Sequence, residues 1–349
     1  MKISITVLAA LFAGATCVSV ESAFLDFMAR FGRSYSTKEE RETRFAAFKR
    51  TFQLVQEHNS KPYATSRLGI NQFADLTEEE LSARFQASRP EDFESIPKVD
   101  ISTLQSIETL PNVTDWSATG YVGKVYNQGV CASGWAFASA ESLGMALSIM
   151  NQQAYKNYDV SAQYLIDCDI YNYGCTKGNM WNGFRYIQKA GYVEWEDYGA
   201  YKGVQRPCSV PGGLQYVPYL LPTYFPILSA DNMKLLVTQQ PVATYMNVPA
   251  CVVSYVSGVL RDEDCKCSDS TYFTLEQPEQ AVVIVGYSVN EDTPGCSGYW
   301  LVKNSWGTTW GENGYIRLCI PSTPGSFTMG TCNVQGYPQI PDVGIVTYV

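Results

Sequence analysis

The sequence predicts an α+β protein of two subdomains, preceded by a separate helical segment. Three observations carry this. In the first quarter of the chain, aromatic and aliphatic residues recur at helical spacing between charges. A polar, proline-containing stretch follows. Beyond it a helix-forming run comes first and short β-prone runs come later, the order expected of an α+β fold rather than of alternating βα units. The chain of 349 residues, 46% of them hydrophobic, is long enough for a helical segment plus one domain with a sizeable core.

Taken in order, residues 1–20 read as an export signal. Lys2 supplies the basic start, Ile3 to Ala15 is almost wholly apolar, and small residues follow, with the cleavage point unfixed between Ala15 and Ala23. That run is too short to cross a bilayer, and no second run of about 18 apolar residues exists, so no membrane span is expected. Residues 21–86 form the helical segment. Phe45, Phe48, Phe52 and Val55 share a helix face, Ser60-Lys61-Pro62 ends it, and Asp75 to Glu80 starts another helix with acids in its first turn. Residues 87–109 read as an exposed linker, where chains are readily cut. Residues 110–349 are the main domain. Within it Trp135 to Met150 is predicted as a helix, with Ala136, Phe137, Ala140, Leu143 and Leu147 on one face. Val237 to Tyr245, Ala281 to Tyr287, Tyr299 to Lys303 and Tyr315 to Cys319 are predicted as strands.

Composition narrows the function. A net charge of −9 argues against nucleic-acid binding, which needs basic patches. Of the eleven cysteines, Cys17 falls in or beside the signal and ten remain, an even number that reads as disulfides in an exported chain. A metal site is not expected. Cys265 and Cys267 are only two residues apart, and the single histidine, His58, sits in the N-terminal helix, where a surface position is expected. No cofactor is implied.

Asn127-Gln128-Gly129-Val130-Cys131-Ala132-Ser133-Gly134-Trp135-Ala136-Phe137-Ala138 resembles the nucleophile motif of the papain-family, cathepsin L-like cysteine proteases. Tyr299 to Gly307, continuing through Trp310 to Tyr315, resembles that family's asparagine motif, and Ala281 to Tyr287 the strand after its histidine. Asp167-Cys168 and Gly174-Cys175 match its disulfide-bearing segment. Glu40, Arg44, Phe48, Val55 and Asn59 fit its interrupted pro-helix motif, with Thr51 where asparagine is usual. Gly69, Asn71, Phe73 and Asp75 fit its second pro-motif. The resemblance spans roughly residues 24 to 340. It implies a helical inhibitor-type pro-domain and a papain-like fold, a helical subdomain facing a β-rich, barrel-like one across a cleft.

The chemistry of such an enzyme needs a thiolate at a helix N-terminus, an imidazole to move its proton and an asparagine to orient the imidazole. In the family the nucleophile immediately precedes the residue matching Trp135, and that position is Gly134. The base precedes the strand beginning at Ala281, and that position is Gln280, whose amide does not titrate near neutral pH. No histidine follows His58. Cys131 is no substitute, because the family pairs it in a disulfide. The sequence therefore predicts a zymogen-like family member that does not hydrolyse peptides.

Gln128, matching the family's oxyanion-hole side chain, survives, as do Asn304 and Trp306. Gly178 can still offer its backbone to an extended peptide, beside Lys177 where the family usually has another glycine. Two readings of these survivors stay open: a cleft that binds a peptide or protein ligand without cutting it, and relics kept for packing. The resemblance implies disulfides Cys131 to Cys175, Cys168 to Cys208, and Cys265 or Cys267 to Cys332. Cys296 with Cys319 would brace two strands, leaving Cys251 with the spare member of the 265/267 pair. Asn112-Val113-Thr114 is an N-glycosylation acceptor. The chain is expected in the secretory pathway, extracellular or in a lysosome or vacuole, with its own pro-domain as first partner. The alternatives are a cysteine endopeptidase acting by an unrecognised route and a storage or matrix protein.

Overall fold

The computed structural model describes residues 19–86, 96, 98–104, 109–210, 212–267, 280–289, 292–322 and 329–346. Residues 1–18 of the expected export signal lie outside these, as does most of the stretch 87–109.

The N-terminal region is built on two helices, α1 (Val20–Phe31) and α2 (Lys38–Ser60). Ser19 and Thr37 cap them, each side-chain oxygen accepting a hydrogen bond from the backbone N–H three residues on. Phe24, Phe27 and Phe48 are buried between them. One expectation fails here. His58 does not lie on the surface but is 2% exposed, with Nε2 3.2 Å from both the carbonyl oxygen and Oγ of Ser66. Ser66 opens strand β1 (Ser66–Leu68). Helix α3 (Glu78–Arg84) starts at Thr77 in a reciprocal capping box with Glu80. The Arg44 guanidinium grips the Glu80 carboxylate and so ties α2 to α3.

After the short strand β2 (Val113–Asp115), the main domain begins with helix α4 (Gly134–Asn151). Every residue of α4 from Gly134 to Ser148 is buried, so this helix forms the spine of the domain rather than a one-sided amphipathic surface. Helices α5 (Ala162–Cys168), α6 (Met180–Ala190) and α7 (Trp195–Tyr198) complete the helical side. The rest is β3 (Leu221–Tyr224), α8 (Ala230–Gln239), β4 (Val242–Met246), α9 (Ala250–Val253), β5 (Tyr255–Leu260), α10 (Asp262–Cys265), β6 (Gln280–Ser288), β7 (Cys296–Lys303), β8 (Tyr315–Pro321) and β9 (Gln339–Asp342). Among the described residues the strands form one sheet in the order β1-β5-β8-β7-β6-β4-β9-β3, with β2 paired to β6. β6, β7 and β8 form the long antiparallel centre; all of β6 is buried. The N-terminal region joins this sheet at one edge, β1 pairing antiparallel with β5.

The strand expected over Val237 to Tyr245 opens in helix and becomes a strand only from Val242. Ser229 caps α8, whose Met233, Leu236 and Val237 bury one face, and Pro241 ends the helical run before β4 begins at Val242. The 87–109 stretch is not wholly exposed either. Ile96 and Leu104 are buried, and the Val99 N–H donates to the Tyr224 carbonyl on the β3 edge (2.9 Å). All five disulfides form: Cys131–Cys175, Cys168–Cys208, Cys251–Cys265, Cys267–Cys332 and Cys296–Cys319. The choice left open between Cys265 and Cys267 falls to Cys267 for Cys332. Among the described residues no cluster has the composition of a metal site, and no helix is long and apolar enough to cross a membrane.

Candidate functional site

The site residues expected from the sequence come together where α4 meets the central strands. Gly134 is the first residue of α4, so the open N–H groups of the helix end there. Gln280 opens β6, Asn304 follows β7, and Gln128 lies on the segment that α4 continues. The Gln128 backbone N–H donates to the Ser305 carbonyl (2.9 Å), which fixes the two motifs against each other.

Gln280 is buried, and its Nε2 lies 3.1 Å from Gln128 Oε1, 3.0 Å from Asn304 Oδ1 and 3.3 Å from Ser305 Oγ. Ser305 Oγ donates to Gln128 Oε1 at 2.7 Å. The result is a closed ring of amides and one hydroxyl with no acid, base or thiol in it. Ser305 was not singled out from the sequence, since a serine inside a motif carries no signal of its own. Asn304 Nδ2 and Trp306 Nε1 are buried without a hydrogen-bond partner among the described residues. An ideal Cβ built on Gly134 would lie 2.7 Å from Gln280 Nε2 and 3.0 Å from its Oε1, so the amide occupies the space a side chain at 134 would need.

A buried ion pair lies on the same two elements, α4 and β7. Lys303, at the end of β7, bonds the Glu141 carboxylate two turns along α4 and the Lys124 carbonyl (2.9 Å). Burial pushes the Glu141 carboxyl up, and the Lys303 ammonium pulls it back. The pair holds helix to sheet, and both side chains are almost fully buried.

One cleft wall is the loop carrying Cys175 and Gly178. Its disulfide to Cys131 and the Ala132 N–H bond to the Cys175 carbonyl (3.0 Å) set it beside the start of α4. A Cβ on Gly178 would lie 2.6 Å from the Trp135 indole, so only glycine allows that close approach. The Lys177 ammonium sits over the Tyr173 ring, 5.3 Å from its centroid.

The cleft is occupied by the chain itself. Gln128 Nε2 donates to the Arg84 carbonyl (3.2 Å), and the Phe85 ring packs on Trp306 with centroids 4.4 Å apart, flanked by Phe73. Gln72 Nε2 donates to the Trp306 carbonyl (2.9 Å). Neither Arg84 nor Phe85 was marked out by the sequence, because both belong to a short stretch with no periodicity.

Comparison with known proteins decides the family. The profile described as "Papain family cysteine protease" matches residues 110–341, and that of the "Cathepsin propeptide inhibitor domain (I29)" matches residues 24–81. The chain belongs to the papain family of cysteine proteases. Its papain-family relatives include thiol protease aleurain of Arabidopsis thaliana, 31% identical over 91% of this chain and 84% of that protein. Oryzain gamma chain of Oryza sativa subsp. japonica is 33% identical over 91% of this chain and 83% of its own length. Among solved structures, digestive procathepsin L2 from Tenebrio molitor larval midgut superposes with a TM-score of 0.77 at 28% identity, covering 93% of this chain and 99% of that one. A recombinant stem bromelain precursor gives 0.74 at 27% identity with the same coverage. The papain-like fold and the cathepsin-type pro-domain expected from the motifs are thus both present.

Proposed function

We propose that this chain is a papain-fold pseudo-protease: it keeps the pro-domain and cleft of the family but does not hydrolyse peptides. One observation carries the reading. At the head of α4, where the family's chemistry needs a thiolate, there is only the backbone of Gly134, and the group facing it is the Gln280 amide. A carboxamide neither takes a proton from a nucleophile nor delivers one to a leaving amine near neutral pH. The other groups of the ring, Gln128, Asn304 and Ser305, are equally inert. The surviving carbonyl-binding side chain, Gln128, suits recognition of an extended backbone, and it already holds the Arg84 carbonyl. The role that follows is binding or regulation, with a peptide or protein segment as ligand once the pro-domain gives way.

The relatives' names, thiol proteases, favour the competing reading of a working cysteine peptidase. Incubating the purified, non-reduced protein with fluorogenic peptide amides and with an epoxide thiol probe separates the two. No turnover and no labelling are expected. Stoichiometric labelling that a peptide analogue blocks would sink the proposal. Five disulfides and the acceptor Asn112, whose side chain is exposed at the start of β2, support residence in the secretory pathway. A mass loss at Asn112 on treatment with a glycan-removing amidase tests that part.

A further inference from the structure

The loop between Cys175 and α6 leaves one residue with its backbone unused. Gly178 is buried, yet among the described residues neither its N–H nor its carbonyl has a hydrogen-bond partner. The residues on either side are held in place. The Lys177 carbonyl accepts from the Tyr173 N–H (3.0 Å). The Asn179 N–H donates to Asn172 Oδ1 (2.8 Å), and the Asn179 carbonyl accepts from Asn172 Nδ2 (3.1 Å). The Met180 N–H donates to the Tyr245 hydroxyl (3.1 Å). Buried backbone groups are rarely left unpaired. One residue offering both a donor and an acceptor, in a loop fixed on either side, is half of an antiparallel ladder pair and is open to an extended chain.

Beside it stands a cation. Lys177 is exposed, its ammonium rests on the Tyr173 ring, and among the described residues no carboxylate pairs with it. Two more cations lie on the same wall: Arg185 and Lys189, one turn apart on α6, sit over the Tyr171 ring at 5.4 and 5.2 Å from its centroid. From Ile170 to Ala190 the chain has no acidic residue, although its net charge is −9. The acid just before this stretch, Asp169, is buried and holds the Tyr171 N–H and Asn172 Nδ2, each at 2.7 Å. This wall is a local positive patch on an acidic protein.

We propose that the cleft selects an extended peptide with an acidic side chain next to the residue bound on Gly178, and that Lys177 is the residue that makes the selection. This rests on the reading of the cleft as a site that binds peptide without cutting it. In a ladder pair the ligand residue facing Lys177 carries its side chain on the same face as the lysine, within reach of the ammonium. The lysine stem is flexible, so the ammonium can leave the Tyr173 ring for a carboxylate at little cost. Arg185 and Lys189 draw anionic ligands towards this wall but are not needed to fix the position of the acid.

The test uses protein trimmed of its pro-domain by an added protease, and a positional library of fluorescent hexapeptides carrying Glu or Gln at one position at a time. Fluorescence anisotropy reads the affinities. At one position Glu should bind at least about threefold tighter than Gln, the size of a surface ion pair, and the preference should shrink in about 0.5 M salt. In Lys177→Gln the ratio of Glu to Gln affinity at that position should fall to about one, and Lys177→Glu should prefer Lys there. Lys177 is exposed, so both variants are expected to fold. Equal affinity for Glu and Gln at every position overturns the proposal and leaves the peptide-binding reading standing. A preference that survives Lys177→Gln, or one spread evenly over all positions, also overturns it. A library that does not bind at all overturns both.

Discussion

Placing a cysteine at position 134 tests the reading of the site on two scales. Gly134→Cys puts a Cβ 2.7 Å from Gln280 Nε2, well inside contact distance, so the buried amide must move. Overpacking of this kind costs about 1–3 kcal/mol. Displacing Gln280 from Gln128 and Asn304 forfeits about 1 kcal/mol for each bond not remade. The single variant is therefore expected to lose about 2–4 kcal/mol, a fall in Tm of about 5–15 °C for a domain of this size. Gln280→His in the same chain removes the obstructing amide and supplies an imidazole within reach of Asn304. The double variant should recover part of the lost stability and be the first to turn over substrate, since the members of such a unit act together. Thermal melts and hydrolysis of a fluorogenic peptide amide, after an added protease has trimmed the pro-domain, read both quantities. Equal activity in the single and double variants, or losses in Tm that simply add, would refute the reasoning.

Three further outcomes follow from the structure. The full-length protein, held alone in acid, should stay intact and be trimmed only when an active protease is added; concentration-independent release of a species beginning near Leu110 would contradict this. Phe85→Ala, which strips the ring from Trp306, should speed trimming by the added protease, read as band loss over time. Glu141→Gln leaves the Lys303 ammonium buried without its partner and should cost about 3–5 kcal/mol in urea unfolding, whereas Glu141→Leu with Lys303→Met should recover most of it. A double variant no more stable than Glu141→Gln would show that the pair is not the tie between α4 and β7.

The sequence by itself determined the fold class and the family, because both rest on local patterns: the α4 run, the β6 to β8 runs, and motifs whose order and spacing survive in a single chain. It also led to the reading, on which the proposed function rests, that Gly134 and Gln280 stand at the family's reacting positions. Residue identity at a motif position needs no coordinates. It could not place Val237 in a helix, since a short apolar run has no period of its own and the cap at Ser229 and break at Pro241 decide it. Nor could it choose between Cys265 and Cys267 for Cys332, because two residues of separation along the chain say nothing about which sulfur faces the partner. Tertiary structure alone decided that Gln280 fills the space beside Gly134, that Arg84 and Phe85 occupy the cleft, and that His58 is buried rather than on a helix surface. Apart from the His58–Ser66 contact, which spans 8 residues, these are contacts between segments tens to more than a hundred residues apart. Burial and hydrogen-bond partners at such separations are set by packing, which the local sequence does not encode.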